Sequence, residues 1–152
     1  MSKDKRTEIT DALKEAMKAK DATRLGTLRL INAAIKDRDI DLRSEGREVT
    51  DEEILGILGK MVKQRQESTK AYEEGGRLEL AEREQAEIKV ITGFLPAQLS
   101  AEEAQAAVEA AIAETGADSI RDMGKVMGVL KGKYTGQMDF GAVGPLVKAR
   151  LA

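Results

Sequence analysis

Asp122–Gly136, with the sequence DMGKVMGVLKGKYTG, decides how the chain is read. Glycine recurs every fourth residue, at Gly124, Gly128, Gly132 and Gly136, among apolar residues and lysines. Residues four apart share one face of a helix. The stretch therefore predicts a helix, about Ile120 to Tyr134, with a stripe almost bare of side chains. Each interior glycine costs such a helix about 1 kcal/mol relative to alanine. Close approach of something to the backbone would offset that cost. On a wheel of about 100° per residue, Ile120, Met123, Val126, Met127 and Leu130 cluster on one side, with Gly124, Gly128 and Gly132 roughly opposite. Arg121 and Lys131 flank the glycines on one side and Lys125 on the other, and Asp122 lies in the glycine sector. Geometry alone leaves two readings open. The glycines admit a neighbouring helix or a partner protein, or they form a rail between cations that a phosphate backbone can approach.

The flanking sequence is helical as well. Ser119 is placed to cap the glycine helix, and Asp139 to cap a last helix from about Phe140 to Leu151 that carries Pro145 inside it. Upstream, Ser100 and Glu103 form a capping box ahead of the alanine-rich EEAQAAVEAAIAETG, with Gly116 as its C-terminal stop. Pro96 forces a break, because the residue before proline avoids the helical region. Before it, helical spacing runs from Ser2 to about Lys20 (Ile9, Leu13, Ala16, Met17) and from about Ala22 to Asp39 (Leu25, Leu28, Ile31, Ile35). SEGREV, residues 44–49, is a polar turn. Thr50 and Glu53 then box the start of a third helix, which runs to about Tyr72 with Ile54, Leu58, Met61, Val62 and Tyr72 inward. Gly75-Gly76 ends it, and a fourth helix from about Leu78 to Leu95 buries Ile88, Ile91 and Leu95. No run alternates β-branched residues as a strand would. The expectation is an all-α chain: a four-helix, bundle-like N-terminal domain over residues 1–96 and a small three-helix tail over 97–152.

Composition narrows the chemistry. The 152 residues contain no cysteine and no histidine, which removes disulfides, thiol nucleophiles and the commonest general base and metal ligand. No metal, cofactor or catalytic residue is expected. No apolar run approaches a membrane span, and MSKDKRTE has no apolar leader core, so the expectation is a cytoplasmic protein without a membrane partner. Net charge is −2 overall but uneven: −1 over residues 1–99, −5 over 100–118 and +4 over 119–152. The basic excess is confined to the glycine helix and the segment after it. GKVMGVLKGK lacks both the spacing of a phosphate-binding loop and a strand before it.

Three further groups stand out. Arg65 falls on the apolar face of the third helix and needs a partner there; Glu84 and Glu87, at the edge of the fourth helix's apolar face, are the candidates. The same glutamates, as a carboxylate pair, are the alternative catalytic reading. Arg24 and Arg29 flank the second helix's apolar face, to solvent or to RNA, and Met61, Met123 and Met127 read as core fillers.

Asp122-Met123-Gly124-Lys125-Val126-Met127-Gly128, then Lys131, Lys133, Gly136, Asp139 and Val147-Lys148, resemble the C-terminal part of YqeY-type proteins and the tail of the B subunit of the glutamine-dependent tRNA amidotransferase. In the N-terminal half Arg24 to Arg29, Arg65-Gln66-Glu67-Ser68, Tyr72, Gly76-Arg77, Leu80-Ala81, Glu87-Ile88 and Phe94-Leu95-Pro96 are similar to the same family. The resemblance implies a two-part helical fold and a tail that contacts tRNA or other structured RNA. By that likeness Arg121, Lys125, Lys131, Lys133 and Lys148 would meet phosphates, and Gly124, Gly128, Gly132 and Gly136 would allow close approach. Gln137-Met138 stands where many relatives carry a basic or small residue, which removes one phosphate contact. The family's label of carbon–nitrogen ligase with glutamine as amide donor is not matched by a nucleophile with an activating partner, so no enzyme is expected. The alternative is a protein-docking role on an amidotransferase or a tRNA synthetase.

Overall fold

The computed structural model describes residues 4–152, which form helices and turns without a strand. Ser2, the expected start of the first helix, lies outside the described residues. The chain divides into two compact units, the first ending at Leu95 and the second spanning Pro96–Ala152.

The first unit has four helices. Helix α1 (Lys5–Ala19) is capped by Asp4, whose carboxylate accepts from the Thr7 amide at 2.7 Å. It stops at Lys20, which takes a left-handed φ of 56°. Asp21 caps α2 (Ala22–Leu42) in the same way through the Arg24 amide. A 3-10 turn, Arg43–Glu45, and the left-handed Gly46 lead to α3 (Asp51–Glu74), which opens with both bonds of the Thr50–Glu53 capping box. Gly76, with φ 73°, reverses the chain into α4 (Leu78–Thr92). Ile9, Leu28, Ile31, Ile35, Ile54, Leu58 and Ile91 are shut away from solvent together. Each such side chain stabilises the fold by about 1.5–3 kcal/mol. Met17, expected inward, is 55% exposed. The inward face runs Ile9, Ala12, Ala16, and Met17 lies about 100° beyond Ala16.

Between Met61 and Ile91 the α3–α4 hairpin buries only Thr69 and Ala81. Polar contacts hold it there instead. Arg65 Nε donates to Glu87 Oε2 at 2.9 Å, and its Nη1 donates to the Met61 carbonyl at 3.2 Å. The partner is Glu87 rather than Glu84, and the carboxylate is tied to a structural pair.

The second unit is a three-helix assembly. Helix α5 (Ala101–Thr115) has the Ser100–Glu103 capping box and ends at Gly116, with φ 67°. Helix α6 (Met123–Tyr134) follows a 3-10 turn, Ile120–Asp122. Asp139 caps α7 (Phe140–Leu151) by accepting from the Gly141 amide at 2.9 Å. Val108, Val126, Leu130 and Val147 form the most enclosed part of the core. Pro145 is tolerated inside α7 because it and Gly141, whose carbonyl it leaves without a donor, both face solvent.

The start of the glycine helix differs from the expectation. Ser119 is extended and its side chain makes no cap bond. Asp122 reaches back instead and accepts from the Asp118 amide at 3.2 Å. Ile120 sits on the 3-10 turn and is 46% exposed, off the apolar side where an ideal helix would have put it.

Candidate interaction face on helix α6

Val126 and Leu130 anchor one side of α6 in the core, with no exposed surface. Met123, Met127 and Tyr134 pack beside them. This fixes the helix's rotation, and Gly124, Gly128 and Gly132 are turned to solvent. A Cβ built at any of the three would meet nothing within 4 Å. The stripe is therefore open, and of the two readings left by the sequence, burial against a neighbouring helix of this chain falls. The glycine that does pack is Gly144 on α7: it is buried, and a Cβ there would lie 3.7 Å from Met123 Cε. The sequence signal for it was present, since Gly144 sits within the apolar run FGAVGPLV.

The cations distribute unevenly around this stripe. Taking Gly128 as its centre, Lys131 and Lys125 lie about 60° to either side. Lys131 is exposed and without an ion-pair partner among the described residues. Lys125, 71% exposed, has Asp122 Oδ1 3.8 Å from its ammonium. Lys133 is about 140° from the centre and points away: its Nζ donates to Glu114 Oε2 of α5 at 2.7 Å. That bond, more than any other contact, raises its pKa. Arg121 is exposed on the 3-10 turn, and Lys148 is exposed on α7. The carboxyl of Asp122 is held below its ordinary pKa chiefly by the Asp118 amide, so an anion stays fixed at the head of the face.

Gly136 does not continue the stripe. It follows the helix with φ 78° and serves the turn. Its carbonyl accepts from Gln98 Nε2. Beside it, Gln137 accepts the Leu99 amide at 2.9 Å and donates through Nε2 to the Ala97 carbonyl at 3.3 Å. Residues 97–99 are pinned to the α6–α7 turn by these bonds. Gln137 thus has a structural role that spacing along the chain did not reveal.

Among the described residues no cluster of three or more carboxylates is placed to hold a metal ion, and no helix is long and apolar enough to cross a membrane. What α6 offers is contact: a flat strip of exposed backbone with a lysine on each edge.

The profile of the Yqey-like protein family matches residues 6–151. Curated proteins similar to the chain include three named "Altered inheritance of mitochondria protein 41, mitochondrial". That of Lachancea thermotolerans is 34% identical over 83 residues, 55% of this chain and 43% of the relative. That of Eremothecium gossypii is 36% identical over 104 residues, 67% of this chain and 56% of the relative. That of Clavispora lusitaniae is 39% identical over 83 residues, 55% and 46%. The chain spans about half the length of the curated relatives it matches.

These relatives correct two expectations. The cytoplasmic location gives way, because the relatives are mitochondrial by name. The reading as a cytoplasmic tRNA-binding accessory of amide transfer, or as a docking partner of an amidotransferase or tRNA synthetase, gives way with it: the relatives are named for mitochondrial inheritance. Around the glycines, Lys133 is engaged by Glu114 and Lys125 has Asp122 beside it, while Lys131 has no ion-pair partner among the described residues.

Proposed function

The chain belongs to the YqeY-like protein family, and from that premise we propose that it is a non-catalytic docking protein serving the mitochondrial role for which its relatives are named. The open glycine face of α6 carries this reading. Three glycines in a twelve-residue helix weaken it by about 1 kcal/mol each, yet a Cβ at Gly124, Gly128 or Gly132 would meet nothing within 4 Å. Nothing among the described residues makes use of their small size. A partner that packs backbone against backbone would. The absence of Cys and His from the sequence supports a binding role over nucleophilic chemistry.

The test is complementation. The chain, expressed behind a mitochondrial leader in Lachancea thermotolerans lacking its own relative, is expected to restore mitochondrial inheritance. Gly128→Leu, which places a bulky side chain on the open face without disturbing the core, is expected to abolish the rescue. Full rescue by that variant would refute the assignment of the face.

A further inference from the structure

Helix α5 exposes a second smooth face. Ala106, Ala110 and Ala113 are all turned to solvent and lie within about 60° of one another on the helix wheel. Glu102 and Glu109 border them on one side, Glu103 and Glu114 on the other, and all four are exposed. The face on α6 has the same plan with the charges reversed: Gly124, Gly128 and Gly132 between Lys131 and Lys125. Segment charge follows suit, at −5 over residues 100–118 and +4 over 119–152. Within one chain the two faces cannot meet, because each points away from the core that its own helix helps to form.

We propose that the second unit pairs with a second copy of this chain, the acid-edged alanine face of α5 seated on the lysine-edged glycine face of α6. The inference rests on the reading of α6 as a docking face and names its occupant. Small residues on both helices let the axes approach to the short end of the usual interaxial range, about 8 Å. Lysines at the edges then meet glutamates rather than water, and an arrangement related by a two-fold axis makes the contact twice. Asp122, the anion at the head of the α6 face, favours the register that keeps it away from the glutamates of α5. Glu114 and Glu109 are already bonded to Lys133 and Arg150 of their own unit and Glu103 accepts from the Ser100 amide, so Glu102, without an ion-pair partner among the described residues, is the first partner for Lys131.

The experiment is sedimentation of the full chain across a concentration series, at low salt and at about 1 M, where the screening length falls to about 3 Å. A reversible dimer is expected, weaker at high salt. Lys125→Glu/Lys131→Glu is expected to raise the dissociation constant about tenfold or more, by setting like charges across the contact. Glu102→Lys/Glu109→Lys should do the same. An equimolar mixture of the two reversed proteins should pair again, because each then offers the charge the other lacks, which also shows that both are folded. A wild-type chain that stays monomeric throughout, or a dimer that neither reversal weakens, overturns the proposal. If the wild type is monomeric while Gly128→Leu still loses rescue, the self-pair is refuted and the docking face on α6 stands.

Discussion

Replacing Gly128 with alanine should make the protein more stable. The residue is near the middle of α6, exposed, with room for a Cβ and nothing within 4 Å of it. No steric penalty offsets the gain in helix propensity, so the expected stabilisation is about 1 kcal/mol. Part of it comes from restricting the unfolded chain, where glycine is the freer residue. For a unit of this size about 1 kcal/mol corresponds to a rise of about 4–8 °C in the midpoint of its thermal transition. Circular dichroism at 222 nm on the full chain reads the helical transition directly, and urea titration gives the free energy independently. Gly144→Ala is the internal comparison: its Cβ would lie 3.7 Å from Met123 Cε, so it fills ordinary contact distance and tests a packed site. Measured on the monomer, at concentrations below those of self-pairing, a fall in the midpoint for Gly128→Ala would refute the reasoning, because it would mean that the stripe is covered within the folded chain.

Three other outcomes follow from the same structure. Arg65→Ala should destabilise the first unit by about 1–2 kcal/mol, since both partners of the Arg65–Glu87 pair are mostly shielded, with side chains 14% and 21% exposed; a double-mutant cycle with Glu87→Gln should return a coupling of about 1 kcal/mol. Leu58→Ala, at a side chain with no exposed surface, should cost about 2–5 kcal/mol in urea unfolding. The Glu53 carboxyl is lowered from 4.5 to about 2, first by its bond from Arg47 and then by the Thr50 amide. A depressed folded pKa gives stability that is present above the unfolded value and lost as the pH falls towards the folded one. Acid titration of stability should therefore decline between those two pKa values, and Glu53→Gln should flatten the decline in that window.

Helix positions were legible in the sequence wherever a local rule sufficed. Asp4, Asp21, Thr50, Ser100 and Asp139 all accept amide bonds at helix starts, and of these Thr50, Ser100 and Asp139 were read from spacing alone. Period-3.6 spacing likewise placed Ile31, Leu58 and Val126 inside. The misses arise in two ways: at a helix end the backbone departs from the ideal wheel, and within a regular helix the inward sector was drawn too wide. Ile120 lies on a 3-10 turn and is 46% exposed, so its predicted direction failed. Met17 fell just beyond the buried sector of α1. At the candidate site, spacing gave the glycine stripe and its two flanking lysines. It could not say whether the stripe was covered, because that depends on where α5 and α7 lie. Nor could it show that Lys133 is drawn to Glu114, nineteen residues earlier, or that Gln137 fastens residues 97–99. Both are contacts between distant parts of the chain.

The central claim is that the glycines of α6 are kept for a partner at a cost to the fold. The triple substitution Gly124→Ala/Gly128→Ala/Gly132→Ala, assayed for melting temperature as the dilute monomer and for rescue in the same yeast strain, tests it most directly. The account predicts a protein that melts higher than the wild type and fails to rescue. A triple variant that melts higher and rescues fully would contradict it.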